Sequence, residues 1–379
     1  MSDEQTKSVS RRKFLRGGAL AAGAAAGGLA MPAVVTAQSP QVIRMQSSWP
    51  SGDIFQEMAQ QYVDRIMAMS GGRLQIDLTP AGAIVGAFSV MDGVHDGVID
   101  AAHTVPVYWY GKHKAASFFG TGPVWGGDAA NMLAWVHQGG GKEFHRELTQ
   151  DIMGLNVVSF FGMPMPAQPL GWFKNPITGA DQLSGLRYRT VGLAADLFQA
   201  MGASVSQLPG GEIVPAMERG VIDAFEFNNP SSDMSFGAQD VAKNYMLSSY
   251  HQASESFEVI WNKDVFDDLD EDLRAIVEYG MEAASTANYS FAMNRYSQDL
   301  VTLQEEHGVT VHRTPTSVLE AQLVAWDKLI VELEKDEFSK RVMDSQREWV
   351  ARTAFYKLNN DPDYKLAFNH YYPDRALEF

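Results

Sequence analysis

Gly97-Val98-Ile99-Asp100-Ala101 recurs as Gly220-Val221-Ile222-Asp223-Ala224. The stretches leading into the two copies also open alike, with Gly82-Ala83-Ile84-Val85 and Gly211-Glu212-Ile213-Val214. Each copy reads as a helix, a glycine stop and a short buried strand. The intervening lengths differ, so this is not a solenoid repeat. Two readings fit: a generic helix-to-strand junction met twice, or two lobes of like topology. In the second, a ligand sits between the carboxyl ends of the strands of both lobes.

The start of the chain favours parallel α/β construction. Val42-Ile43-Arg44-Met45 reads as a strand that runs into a turn-rich loop, Gln46 to Gly52. Apolar residues at Ile54/Phe55, Met58/Ala59, Tyr62/Val63 and Ile66/Met67 then mark one helical face. Ser51 or Asp53 can cap that helix, and Gly71-Gly72 stops it. Residues Arg73 to Leu78 alternate as the next strand. A strand, a helix and a strand in this register make a parallel unit.

Asn156–Phe161 and Phe257–Asn262 are further strands, placed where the chain passes between lobes. Val309–His312 is one more short strand, and Ser317 to about Leu358 reads as long helices. No Pro-, Gly- or Ser-rich linker intervenes, so strands join the lobes and act as hinges. A length of 379 residues suits two ordinary cores. The expected division has lobe I at 38–160 plus about 253–310 and lobe II at 161–252 plus part of the C-terminal helices. A helical region covers about 316–379.

Residues 1–37 read as a signal peptide and not as part of the fold. Ser10-Arg11-Arg12-Lys13-Phe14-Leu15 is a twin-arginine pattern, an Ala/Gly-rich stretch follows, and Val35-Thr36-Ala37 suits a signal peptidase. The apolar stretch is too short and too weakly apolar to favour a membrane anchor. The segment carries Lys7, Arg11, Arg12, Lys13 and Arg16 against Asp3 and Glu4, so its removal takes the net charge from −16 to −19. So acidic a chain disfavours nucleic acid and anionic lipid. It also repels small anions at long range, so an anion site needs concentrated local positive charge. The chain has no cysteine, which removes disulfides and thiolate metal sites although the export signal points to an oxidising compartment.

Motifs for catalysis are missing. The nine histidines show no zinc-site spacing, and no Gly-x-Ser-x-Gly elbow occurs. Gly139-Gly140-Gly141-Lys142 lacks the first glycine and the following Ser or Thr of a phosphate loop. Asp267 to Asp272 lacks the glycine and terminal Glu of a calcium hand and suits a helix start. One stretch is different. Arg187-Tyr188-Arg189 lies on a strand that ends before the helix Ala194–Met201, where an anion can bind, and Arg189 can pair with a carboxylate. The same pattern also fits a surface arginine on a strand edge. Glu226, Asn228 and Asn229 follow the buried strand Ile222–Phe225, and there a carboxylate serves either a site or a solvated rim.

These segments carry a resemblance. Ser47-Ser48-Trp49-Pro50, His103 through Lys112, Gln168 to Phe173, Gly185 to Arg189 and Gly210 to Gly220 resemble the extracytoplasmic solute-binding subunits of tripartite ATP-independent periplasmic (TRAP) transporters. The likeness runs from about Val42 to the C-terminus and is nearest the branch that binds 2-oxo or 2-hydroxy monocarboxylates, such as pyruvate or lactate, with a metal ion. It implies an α/β, two-lobe periplasmic-binding-protein-like fold with strand hinges, a periplasmic location and membrane transporter subunits as partners. It also implies that Arg189 holds the ligand carboxylate, with Trp49, Tyr108 and Asn229 beside the ligand. In the metal-using branch Gln168, Glu226 and the Phe227 carbonyl supply oxygens to the cation, and Gln252 is a further candidate. An all-oxygen set of this kind suits Na⁺ or Ca²⁺. Phe227 is often Trp in the near relatives, a change that a backbone ligand tolerates. An exported enzyme and a ligand sensor docking on a receptor are the other function classes, and the missing cofactor motifs count against the enzyme.

Overall fold

The computed structural model describes residues 39–375 apart from Val124. The twin-arginine segment lies outside the described residues. In chain order the first half holds β1 (Gln41–Ser47), α1 (Ile54–Met69), β2 (Leu74–Thr79), α2 (Val90–His95), β3 (Ala101–Thr104), α3 (Ala129–Gln138), α4 (Gly141–Arg146) and β4 (Val157–Pro164). Next come β5 (Gly171–Phe173), β6 (Arg187–Arg189), α5 (Leu193–Ala200), β7 (Ser204–Ser206), α6 (Ile213–Glu218), β8 (Ala224–Phe225), α7 (Pro230–Ser235), α8 (Ala238–Val241) and β9 (Asn244–Leu247). The chain ends with β10 (Ser256–Asn262), α9 (Lys263–Asp267), α10 (Glu271–Glu305), β11 (Thr310–Arg313), α11 (Thr316–Leu333), α12 (Glu337–Asn360) and α13 (Tyr364–Tyr371).

The strands form two mixed sheets, ordered β2-β1-β3-β10-β4 and β11-β9-β5-β8-β6-β7. Read from β2 and from β7, the two orders correspond strand for strand. Two parallel pairings are followed by two antiparallel ones in each, and β11 extends the second sheet. Each sheet is the centre of one lobe, and the two copies of the pentapeptide lead into the matching strands β3 and β8.

In each copy the glycine is left-handed (Gly97 φ 71°, Gly220 φ 67°) and the isoleucine is buried. The aspartate meets an arginine of the neighbouring strand. Arg44 donates to both carboxylate oxygens of Asp100 and to the Gly97 carbonyl. Arg187 does the same with Asp223 and Gly220. The leader Gly82–Val85 departs from the expected helix. It is a turn, because the Gln46 side chain accepts the N–H groups of Ile84 (2.8 Å) and Val85 (3.0 Å).

Helix α1 starts where the sequence places it, with Asp53 accepting from the Phe55 N–H at 2.8 Å. Such a cap contributes about 1 kcal/mol. The buried face of α1 (Ile54, Phe55, Met58, Tyr62, Val63, Ile66) packs on the first sheet and on α10. At 35 residues, α10 is about 50 Å long and reaches from the first core, at Leu273 and Val277, to the second, at Leu303. Helix α11 lies on α5 and α12 on α3, so the C-terminal helices brace both lobes.

Two short connections cross between the sheets, 165–170 and 248–255, and a third crossing runs from β10 through α9 and α10 to β11. Non-glycine residues with left-handed backbone stand at the edges of the two short ones, Met163 (φ 57°) and Ser248 (φ 73°). Gln322 of α11 holds the second connection through the Tyr250 N–H (2.9 Å) and the Ser249 hydroxyl (2.7 Å).

Candidate functional site

The strand ends of both sheets and both connections meet in one buried region. Lobe I supplies an apolar wall: Trp49 after β1, Phe55 at the start of α1, and Val105 and Tyr108 after β3. Trp49 and Phe55 meet edge to face, with ring centroids 4.9 Å apart. Trp49 also donates its indole N–H to His103 at 2.9 Å. Burial pushes His103 down to about 3, so this pair is neutral.

Lobe II supplies the charge. Arg189 ends β6 and is the single Arg or Lys among the buried described residues. Its Nε and Nη2 donate to the Leu208 carbonyl at 2.9 and 2.7 Å. Its Nη1 donates to the Glu226 carbonyl at 2.6 Å and to Glu226 Oε1 at 3.1 Å. These bonds leave a single N–H of Nη2. The guanidinium also lies 5.6 Å from the Phe227 ring centroid. Phe227 is held tightly there: a Cβ on Gly210 would come within 2.7 Å of its ring.

The connections bring amides and a further acid. Gln168 Nε2 donates to Glu255 Oε2 at 2.7 Å, and Asn228 Nδ2 donates to the same oxygen at 3.0 Å. Gln252 lines the same cavity. Four buried oxygens accept no hydrogen bond: Gln168 Oε1, Gln252 Oε1, Glu226 Oε2 and Glu255 Oε1. Burial pushes Glu226 up to about 7, against the pull of Arg189 and the nearby Thr190 hydroxyl. Burial pushes Glu255 up to about 8, against the amides of Gln252 and Gln168. The side groups that lower these values stand close without completing a bond to the two free carboxylate oxygens.

The cavity itself measures about 10 Å³, room for about one water. The lobes are thus closed on each other. A larger groove of about 770 Å³ lies between α3, α10 and the second connection, but no buried charged side chain lines it. Chemistry, and not volume, marks the site. Across the cleft, Ser232 donates to Asp53 at 3.0 Å, and Tyr110 and Lys114 both reach Asp196 of α5, at 2.9 and 2.8 Å. Gly192 (φ 64°) permits a close approach, since a Cβ there would stand 3.2 Å from Val107 of the opposite lobe.

The structure therefore gathers Trp49, Tyr108, Gln168, Arg189, Phe227 and Gln252 around one cavity, with Glu226 behind Arg189. Asn229 is used differently. It caps α7 by accepting the Ser232 N–H, and its neighbour Asn228 lines the cavity instead. Glu255 was not foreseen. It lies on an aperiodic connection, and its own pattern, Ser254-Glu255-Ser256, resembles any polar loop.

Residues 45–336 match the family described as bacterial extracellular solute-binding protein, family 7 (DctP). A monocarboxylate 2-oxoacid-binding periplasmic protein of Nostoc sp. (strain PCC 7120) is 32% identical over 233 residues, which is 62% of this chain and 63% of that protein. The match thus spans less than two thirds of that relative. A TRAP transporter solute-binding protein of Bordetella bronchiseptica, solved with calcium and picolinate, superposes with a TM-score of 0.81 at 26% identity, covering 88% of this chain and 97% of its own. Two TRAP periplasmic solute-binding proteins superpose with TM-scores of 0.76, each covering 85% of this chain and 100% of its own. One, from Colwellia psychrerythraea, holds calcium and pyruvate at 29% identity; the other, from Pseudoalteromonas atlantica, holds sodium and pyruvate at 28%.

Proposed function

The chain belongs to the bacterial extracellular solute-binding proteins of family 7, and from that premise we infer that its cleft captures a small 2-oxo or 2-hydroxy monocarboxylate, such as pyruvate or lactate, together with a hard cation. In this reading it works in the periplasm and delivers the acid to the membrane subunits of a TRAP transporter, with no catalytic step. Among the described residues no helix is long and apolar enough to cross a membrane.

One observation carries the reading. Arg189, the single buried arginine among the described residues, stands beside buried oxygens that lack hydrogen-bond donors. An isolated set of such acceptors is costly, and a cation would satisfy them. Gln168, Glu226, the Phe227 carbonyl and Gln252 are the residues that would hold it. A cation there supplies a fixed positive charge to the ligand's carboxylate and 2-oxygen.

The chain's own residues do the rest. The bond from Arg189 to Glu226 Oε1, at 3.1 Å, is long for a charge-assisted one. An incoming carboxylate takes that donor and the free N–H of Nη2, and the Glu226 carboxylate turns to the cation. Ion and acid then bind cooperatively, each raising the affinity for the other by the same factor. Trp49, Phe55 and Tyr108 keep water away, which strengthens these attractions.

A cavity of about 10 Å³ admits no three-carbon acid, so capture needs the lobes to part and reclose on the hinge connections. Thermal-shift screening of the mature chain against small carboxylates, with and without Ca²⁺ and Na⁺, tests the function. Binding stabilises by mass action, and a 2-oxo or 2-hydroxy acid should raise the melting temperature most when a cation is present. A panel with no shift in any combination would overturn the reading. Small-angle scattering should give a smaller radius of gyration with ligand than without.

A further inference from the structure

The cleft carries one more acidic group than the expected site needs. Glu255 is 3% exposed and lines the cavity with Gln168, Gln252 and Phe227. Its carboxylate is oriented by two amides. Gln168 Nε2 and Asn228 Nδ2 both donate to Oε2, which leaves Oε1 without a partner. The bond from Gln168 also fixes that amide, so the Gln168 oxygen is its free end. Gln252 Oε1 is likewise buried and unpartnered. Glu226, bonded to Arg189 of the same cavity lining, is a second buried acid of this region. Among the described residues no three His, Cys, Asp or Glu side chains are placed to share a metal. At this cavity Glu255 Oε1 and the free oxygens of Gln168 and Gln252 are open to a cation, and the second carboxylate, Glu226, stands behind Arg189.

We propose that Glu255 is a direct ligand of the cation and that its charge makes the site prefer a divalent ion, of the calcium class, over sodium. The inference rests on the capture reading above and deepens it.

Charge balance supplies the argument. Arg189 offsets the carboxylate of the acid. Glu226 and Glu255, once a cation draws off their protons, leave two negative charges in a region closed to water. A monovalent ion leaves one of them unbalanced, and unbalanced charge is what a buried site tolerates least. A divalent ion balances both. Donor count agrees. Gln168, Gln252, Glu226, Glu255 and the Phe227 carbonyl, with the acid's own oxygens, reach the roughly 6–8 oxygens that Ca²⁺ takes. None of these donors is a thiolate or imidazole, so softer metals gain nothing here. Were Glu255 merely a structural acceptor for Gln168 and Asn228, an uncharged Gln would serve as well.

The test uses chelator-treated mature chain, titrated calorimetrically with CaCl₂ alone and with NaCl alone, and then with pyruvate under each ion. The wild type should bind Ca²⁺ more tightly than Na⁺ by at least about a hundredfold, since charge count sets such affinities. Glu255→Gln should lose on the order of tenfold to a hundredfold in Ca²⁺ affinity and narrow the preference, and pyruvate affinity under Ca²⁺ should fall with it. Unchanged Ca²⁺ affinity and preference in Glu255→Gln would overturn the proposal. Should that variant not fold, the wild type decides: Ca²⁺ must raise the melting temperature well above an equal concentration of Na⁺ at matched ionic strength, and equal shifts overturn it. A wild type that takes up no small carboxylate under either ion sinks the capture reading itself. Carboxylate uptake with an indifferent Glu255 sinks only this inference.

Discussion

The two lobes share one device and use it for opposite ends. Arg44, Asp100 and Gly97 in the first correspond to Arg187, Asp223 and Gly220 in the second, bond for bond. Two residues beyond each arginine, and three beyond each aspartate, the lobes diverge. Where lobe I has Gln46, lobe II has Arg189; where lobe I has His103, lobe II has Glu226. Gln46 spends its amide on the backbone of a turn, and His103 is neutral beside Trp49. Arg189 and Glu226 form a buried ion pair. The scaffold is common to both lobes, and the buried ion pair stands at the cleft end of one of them. Lobe I faces that pair with the apolar wall of Trp49, Phe55 and Tyr108.

That comparison breaks most sharply at its charged member. Arg189→Ala should cost about 2–5 kcal/mol in carboxylate binding, read by calorimetry, while Gln46→Ala should leave affinity nearly unchanged. A Gln46 variant as damaging as the Arg189 variant would end the division of labour.

The two lobes should also answer pH with opposite signs. Glu226 rises from 4.5 to about 7 on folding. Its contribution is present below the unfolded value and is lost as pH climbs through about 7. His103 falls from 6.5 to about 3. Its contribution is present above the unfolded value and is lost as pH drops below it toward about 3. Each full effect is on the order of 3–5 kcal/mol. Denaturant unfolding of ligand- and cation-free protein from pH 4 to about 9 should therefore show Glu226→Gln gaining relative stability on the alkaline side. His103→Gln should gain it on the acid side. Slopes of the same sign for both variants would refute the assignment.

The smallest effect lies in the shared device. Arg44 and Arg187 are half-exposed, so their ion pairs are well screened. Asp100→Ala and Asp223→Ala should each cost about 1 kcal/mol of stability, seen as similar shifts in denaturant midpoint and no change in ligand affinity. A large loss for one and none for the other would show that the two clips are not equivalent.

Much of this was legible along the chain. The period of α1, the Asp53 cap and the echoed pentapeptide needed only local rules, because spacing sets which side chains share a face. Arg189 and Glu226 were readable as residues at strand ends. The cavity position of Asn228 in place of Asn229 was not: a capping bond to Ser232 took one amide and turned the other inward. The turn at Gly82–Val85 was also invisible, since it depends on a side chain nearly forty positions earlier.

The sequence by itself thus determined the two-sheet plan and the residues able to carry charge. Tertiary structure alone decided what that charge faces. Gln168 and Glu255 are 87 positions apart and lie on aperiodic connections, so no pattern in the chain links them. They meet because both connections cross between the sheets at the same place. Burial there strips water from their oxygens, so Gln168 Oε1 and Glu255 Oε1 are left without donors only in the folded cleft.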